Sequence, residues 1–329
     1  MQPFSFAVAR SRAEAIALAA EPGTALVAGG TEIVNWMKDG IAAARRLVHL
    51  RDIPDLTAIE AGADGVRIGA LARLADVADH PAVRQEFPAV AEALMASASA
   101  QIRTMATVGG NLLQRTRCPY FRAEAELPCN KRRPGSGCAM REGVDRQAAI
   151  FGASAHCVAT HPSDLAVALA ALDAVVHVEG PQGARAIPIG DFHRLPGHTP
   201  EVETALAPGE LVTAVVVPAS ALARRSRYLK VRERASYEFA LVAAAAAADL
   251  EGGTIRAARI ALGGVAPKPW RLPAVEAALA GLRVDDAAAL RRAIDTGFAD
   301  ARPGRNNGFR IELAARAALR ALQAAGGGQ

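Results

Sequence analysis

Four cysteines are all the thiols in this chain of 329 residues, and they share one window: Cys118, Cys129, Cys138 and Cys157. Their spacing is C-x10-C-x8-C-x18-C. Structural zinc sites usually carry a short C-x2–4-C knuckle, which is absent here, as are the ferredoxin spacings. Two disulfides in any of three pairings are the main alternative in an oxidising compartment, although a chain this long does not need such staples. Electrostatics favour an iron–sulfur cubane, because four thiolates around a [4Fe-4S] core leave a net charge of about −2 that must be balanced when buried. The window offers Arg115, Arg117, Arg122, Lys131, Arg132, Arg133, Arg141 and Arg146 against Glu124, Glu126, Glu142 and Asp145. Eight positive less four negative places +4 of the chain's +5 charge here. Gly135 and Gly137 could free backbone N–H groups for the sulfurs. On spacing alone a cluster ranks first, disulfides second and zinc third, and all three stay open.

Two double-glycine stretches, LVAGGTEI and ATVGGN, read as tight turns after apolar strands. Consecutive glycines let N–H groups converge without Cβ obstruction, as a pyrophosphate requires. Neither is a GxGxxG fingerprint, and Walker A, GxSxG and HExxH sequences are absent. Taken singly, Asp164 complements a helix dipole, Lys230 is a solvated charge on a strand, and His161 before Pro162 is a turn residue.

These residues need elements to position them. TALVA, RLVHL and VRIGAL read as strands and AVAEALMASAS as a helix, an alternation typical of α/β folds. The cysteine window is loop-like. THPSDLAVALAALDA resumes a helix started near Ser163 or Asp164, and AVVHVEG is a strand. A composition change at residues 218–227 marks a boundary, followed by helical stretches PAVEAALAG, VDDAAALRRAIDTGF and RIELAARAALRALQAA and a floppy GGGQ ending. FALVAAAAAADL is ambiguous between a helix and a strand buried on both faces.

Composition narrows the function classes. Hydrophobic content of 51% with 22% charged residues describes a globular chain, and no apolar run approaches the ~20 residues of a membrane-spanning helix. The sequence pI near 9.3 does not indicate nucleic-acid binding. Aromatics are only 4%, too few for base stacking, and 34 of the 38 basic residues are arginines in an alanine-rich chain, as coding bias produces. Arg10, Arg12 and Glu14 interrupt any signal-peptide core, while Ser11 and Glu14 resemble a capping box. The chain is expected to be cytoplasmic or to travel with a partner that carries an export signal.

LVAGGTEIVNWMK, IGALARLADV, QIRTMATVGGN, HPSDLAVALAALDA, RYLKVRERASYEFA and ALGGVAPKPWR together resemble the FAD-binding subunits of the xanthine dehydrogenase family of molybdenum hydroxylases. NLLQRTRCPYF…PCNKRRPGSGC…C resembles the subset with an inserted [4Fe-4S] loop, found in bacterial periplasmic aldehyde oxidoreductases. 4-Hydroxybenzoyl-CoA reductase flavin subunits are more distant relatives with a comparable insert. The likeness covers essentially the whole chain. It implies an α+β fold: a two-part α/β FAD-binding domain at 1–220 with the [4Fe-4S] loop inserted at 114–158. A small α+β domain with an antiparallel sheet, like the CO dehydrogenase flavoprotein C-terminal domain, would follow at 221–329. It would also make FALVAAAAAADL a strand.

Carried over by motif, Leu26, Val27, Ala28, Gly29, Gly30, Thr31, Glu32 and Ile33 would wrap the FAD pyrophosphate. Thr107, Gly110 and Asn111 would form a second phosphate turn. Asp164 would hydrogen-bond the cofactor, and Val212 and Lys230 would lie near the flavin. Ser97 departs from relatives that place a stacking aromatic there, and Tyr120 or Phe121 could cover the ring instead. Cys118, Cys129, Cys138 and Cys157 would hold the [4Fe-4S] cluster.

The resemblance implies an electron-transfer subunit of a heterotrimer, without bond-breaking of its own. A molybdopterin-binding large subunit would oxidise an aldehyde, and a [2Fe-2S] small subunit would lead electrons to FAD and on to an external acceptor. Alternatives are the flavin subunit of a xanthine dehydrogenase or 4-hydroxybenzoyl-CoA reductase-like complex, a non-redox subunit with a zinc- or disulfide-stapled loop, and a stand-alone flavin oxidase. Periplasmic location by co-export with a signal-bearing partner is expected, with a cytoplasmic location as the alternative.

Overall fold

Short apolar runs between glycines and helix caps build three sheets, seen in a computed structural model that describes residues 1–327. Part of the GGGQ ending, residues 328–329, lies outside the described residues. Strands β1 (Ser5–Val8), β2 (Thr24–Val27) and β3 (Arg46–His49) are parallel, in the order β1-β3-β2. The helix Arg12–Ala19 joins β1 to β2. Its cap, Ser11, accepts the Glu14 N–H at 3.1 Å, while the Glu14 carboxylate accepts the N–H of Arg10 at 2.8 Å, one residue ahead of the cap.

Strands β4 (Ile59–Gly62), β5 (Gly65–Gly69), β6 (Val175–Gly180), β7 (Gly183–Pro188) and β8 (Leu211–Pro218) form an antiparallel sheet in the order β4-β5-β8-β6-β7. The pairing of β5 with β8, with Val66 opposite Val217 and Ile68 opposite Val215, closes one sheet across the cysteine window. The alternation of the first ~110 residues therefore yields a parallel sheet only for β1–β3. The strand β5, hairpin partner of β4, finds its second partner β8 more than 100 residues downstream, which local periodicity cannot reveal. These two sheets make the two parts of the N-terminal region.

Strands β9 (Ser226–Val231), β10 (Val242–Glu251), β11 (Thr254–Gly263) and β12 (Trp270–Arg271) form a second antiparallel sheet, in the order β12-β11-β10-β9. The alanine run lies in β10, buried on both faces. Ala243, Ala245 and Ala247 join the core that includes helices Pro88–Ala96 and Asp164–Ala171, while Ala244, Ala246 and Ala248 join the core under helix Phe309–Ala325. Small side chains on both faces let helices approach from both sides, and that tertiary demand overrides the helix propensity of alanine.

One local reading is corrected. ATVGGN does not follow a strand. Val108–Leu112 is a short helix capped by Thr107, whose Oγ1 accepts the Gly110 N–H at 3.3 Å. Residues 114–158 carry little regular structure beyond the short helix Pro119–Arg122 and the 3-10 turn Ala139–Arg141. Among the described residues no helix is long and apolar enough to cross a membrane.

Candidate functional site

A cleft of 610 Å³ gathers segments from both ends of the chain. Thr31, Glu32, Gly110, Asn111, Asp164 and Lys230 all line it. The other residues of the first glycine turn stand behind this surface. Leu26 and Ala28 pack toward the helix Arg12–Ala19, and Val27 and Ile33 pack with Met37. Gly30 has φ +72°, and a Cβ on Gly29 would lie 1.9 Å from the Met105 carbonyl oxygen. Glycine at position 29 thus lets the turn touch the backbone that leads into the helix capped by Thr107. Val212 is buried in β8 within the main core, and its side chain is not part of the lining.

The far wall is a buried polar cluster. Asp164 accepts from Lys230 Nζ at 2.8 Å and from the Tyr228 hydroxyl at 2.5 Å. Burial pushes the Asp164 carboxyl up, and Lys230 and Tyr228 pull it back toward ionisation. Lys230 is therefore a buried, paired ammonium that also donates to the Ala96 carbonyl. Ser163 caps the helix Asp164–Ala171 and donates to Asn111 Oδ1 at 2.6 Å, locking the two loop ends together.

Ser97 lines the cleft, but its hydroxyl is turned onto the Leu94 carbonyl at 2.8 Å. Tyr120 and Phe121 do not replace the missing aromatic. Phe121 is fully buried among the cysteines, and the Tyr120 hydroxyl accepts the Val144 N–H. Beside Tyr228 of the polar wall, Tyr237 and Phe239 line the cleft, with the Arg117 guanidinium 4.6 Å over the Phe239 ring. Tyr237 and Ala98, both in the lining, hold φ at +53° and +47°, which side chains other than glycine rarely adopt. The only sequence signal for these aromatics is their place seven and nine residues after Lys230.

His161, before Pro162 and outside any helix or strand, is half-buried. It lines the cleft with its ring 4.1 Å from that of His193, and burial holds both imidazoles neutral, His193 down at about 4.

All four cysteines line a second, small cavity of 10 Å³, with Cys118 and Cys157 buried and Cys129 and Cys138 half-buried. Every one is a free thiol, so the disulfide arrangement is not the one adopted. Among the described residues no three His, Cys, Asp or Glu side chains stand close enough to share one metal ion. Burial pushes the Cys118 thiol up to about 12 and raises Cys157 as well, with Lys131 opposing it at Cys157.

The role expected of the surrounding cations is corrected in part. Arg117 and Arg122 both reach Glu32 in the first glycine turn, and Arg115 and Lys131 both reach Glu203. Arg146 pairs with Glu233. Only Lys131, 9% exposed, also lines the cysteine cavity. Most of these cations thus tie the inserted loop to the scaffold. The Gly137 N–H is likewise taken, by Asn130 Oδ1 at 3.0 Å.

Residues 2–220 match the model of the FAD binding domain in molybdopterin dehydrogenase, and residues 227–325 match the CO dehydrogenase flavoprotein C-terminal domain. The chain is 47% identical over 320 residues to the aldehyde oxidoreductase FAD-binding subunit PaoB of Escherichia coli (strain K12), covering 96% of each. This chain belongs to the FAD-binding subunits of the molybdenum hydroxylases. It is also 28% identical to the carbon monoxide dehydrogenase medium chain of Afipia carboxidovorans, over 91% of this chain and 89% of that one. A Cu,Mo-CO dehydrogenase structure superposes with TM-score 0.77 at 25% identity, covering 99% of both chains.

The cleft fits what a molybdenum hydroxylase FAD-binding subunit must hold. Its lining includes Thr31 of the glycine turn, Gly110, Asn111 and the Asp164–Lys230 pair, and its 610 Å³ lies within the range of cofactor sites. In this FAD-binding subunit Glu32 joins the glycine turn to the inserted loop. Glu32→Ala removes the partner of two part-buried guanidinium groups and is expected to cost about 3 kcal/mol, the lower end for buried pairs. Limited proteolysis should then cut faster within 114–158 than in the unaltered protein.

Proposed function

We propose that this chain is the electron-transfer subunit of a molybdenum-containing aldehyde oxidoreductase, holding FAD in the cleft and a [4Fe-4S] cluster on Cys118, Cys129, Cys138 and Cys157. The observation that carries the reading is the convergence of four free thiols, from separate stretches of an irregular loop, on one small cavity beside the cleft. A four-iron cluster would use all four thiolates, one on each iron. The 47% identity to an aldehyde oxidoreductase FAD-binding subunit supports the complex type.

When bound, FAD supplies two-electron and the cluster one-electron chemistry. The chain's own residues hold and insulate. Gly110 and Asn111 bound the cleft at the short helix capped by Thr107, and the Asp164–Tyr228–Lys230 cluster fixes the far wall with paired charge. Phe239, under Arg117, and Tyr237 offer flat apolar faces at the mouth. Substrate oxidation is assigned to a molybdopterin-binding large subunit, with a [2Fe-2S] small subunit completing a heterotrimer that serves an external acceptor, an assignment supported by the 47% identity to an aldehyde oxidoreductase FAD-binding subunit. The chain divides into a FAD-binding domain at 1–220, bearing the loop 114–158, and a C-terminal domain at 221–329.

Flavin, iron, zinc and molybdenum analysis of the purified complex tests this. One FAD, and iron in excess of that in the [2Fe-2S] subunit, are expected. A complex with zinc in this chain and no excess iron would replace the cluster with a structural staple.

A further inference from the structure

The flavin cleft and the cysteine cavity share three lining residues: Cys118, Met140 and Ala159. Of these, Ala159 contributes a methyl group and Cys118 is a thiol of the cavity itself. Met140 is the one large side chain that can close the space between them. It is 2% exposed, and its Sδ stands 3.7 Å from Cys118 Sγ. Its backbone sits in the 3-10 turn Ala139–Arg141 directly after Cys138, and the turn is pinned by the Ala139 N–H donating to the Pro128 carbonyl at 2.9 Å. Met140 therefore packs one cysteine through its side chain and follows another in sequence.

We propose that Met140 is the partition between the two sites, a positioning residue that seats Cys118 and keeps water in the cleft from reaching the cysteine cavity. This rests on the reading of that cavity as a [4Fe-4S] site. Methionine suits the task because its unbranched, polarizable side chain fills irregular gaps and makes favourable sulfur contacts. The apolar shell around a metal centre controls solvent access, and through it both retention of the metal and its potential. The direction follows from charge. A four-thiolate cluster is more negative when reduced, so water admitted beside it favours the reduced form and raises the midpoint potential.

The test uses the whole complex with its partner subunits, in Met140→Ala and Met140→Leu forms. Three quantities are read: FAD content, the rate of iron loss to a chelator, and the cluster midpoint from an EPR-monitored titration. Met140→Ala should keep FAD, lose iron about 10- to 100-fold faster, the range for residues that support metal ligands, and show an upward midpoint shift. Met140→Leu, similar in volume and apolar, should behave as the unaltered protein. If Met140→Ala loses FAD as well, Met140→Gln, equal in length and polar, decides by the same two cluster readings. Unchanged chelation rate and midpoint in a variant that retains FAD and iron would overturn the partition while leaving the cluster standing. An unaltered complex with no EPR signal beyond that of the two-iron partner would remove the cluster and the partition together.

Discussion

Serine in place of any one of Cys118, Cys129, Cys138 and Cys157 is expected to drop the iron bound by this chain well below about four atoms while largely sparing FAD. An alcohol does not ionise readily at neutral pH, so each variant removes one of the soft anionic ligands that iron–sulfur centres require. Cys129, Cys138 and Cys157 are the sharpest cases, because they line the cysteine cavity and not the cleft, whereas Cys118 lines both. Loss of metal should also loosen residues 114–158, which have little regular structure and are tied to the scaffold by ion pairs. Iron and acid-labile sulfide analysis beside flavin absorbance reads the result. Full iron occupancy in all four variants would reject the ligand set.

Asp164→Ala has the largest expected effect at the cleft. The Lys230 side chain is only 3% exposed and the Asp164 side chain 6% exposed, so truncation leaves a buried ammonium without its counter-charge. Breaking a buried pair on one side costs about 3–5 kcal/mol, and the Tyr228 hydroxyl loses its acceptor in the same step. Asp164→Asn keeps an acceptor for Tyr228 and should recover part of that loss. Both variants are expected to release FAD more readily on dilution, followed by flavin fluorescence, and to melt at lower temperature. FAD retention equal to the unaltered protein in both would place the cofactor's polar contacts elsewhere.

Several features are legible in the order of the residues. The crowding of all thiols into one loop, the glycine turn after β2 and the helix started by Ser163 depend on residue type and short-range geometry. Sequence likeness marks β10 as a strand, and its two buried alanine faces explain why. The second glycine pair reads as a strand–turn and is not one. Thr107 and Gly110 serve a helix start, and the apolar residues before them do not distinguish the two.

What residue types alone determined is a chemical inventory: four soft ligands, an excess of cations around them, and flexible glycine turns able to approach a cofactor. Which groups meet was decided by the tertiary structure. Asp164 finds Lys230 across 66 positions, and Glu32 receives Arg117 and Arg122 from 85 and 90 positions away. Cations that composition assigned to the sulfurs are mostly held by carboxylates elsewhere, and aromatics from the segment after β9 occupy the cleft. The physical reason is that ion pairing and burial act at a few ångströms in space, with no regular signature in chain spacing, whereas caps, turns and strand periodicity repeat within a few residues.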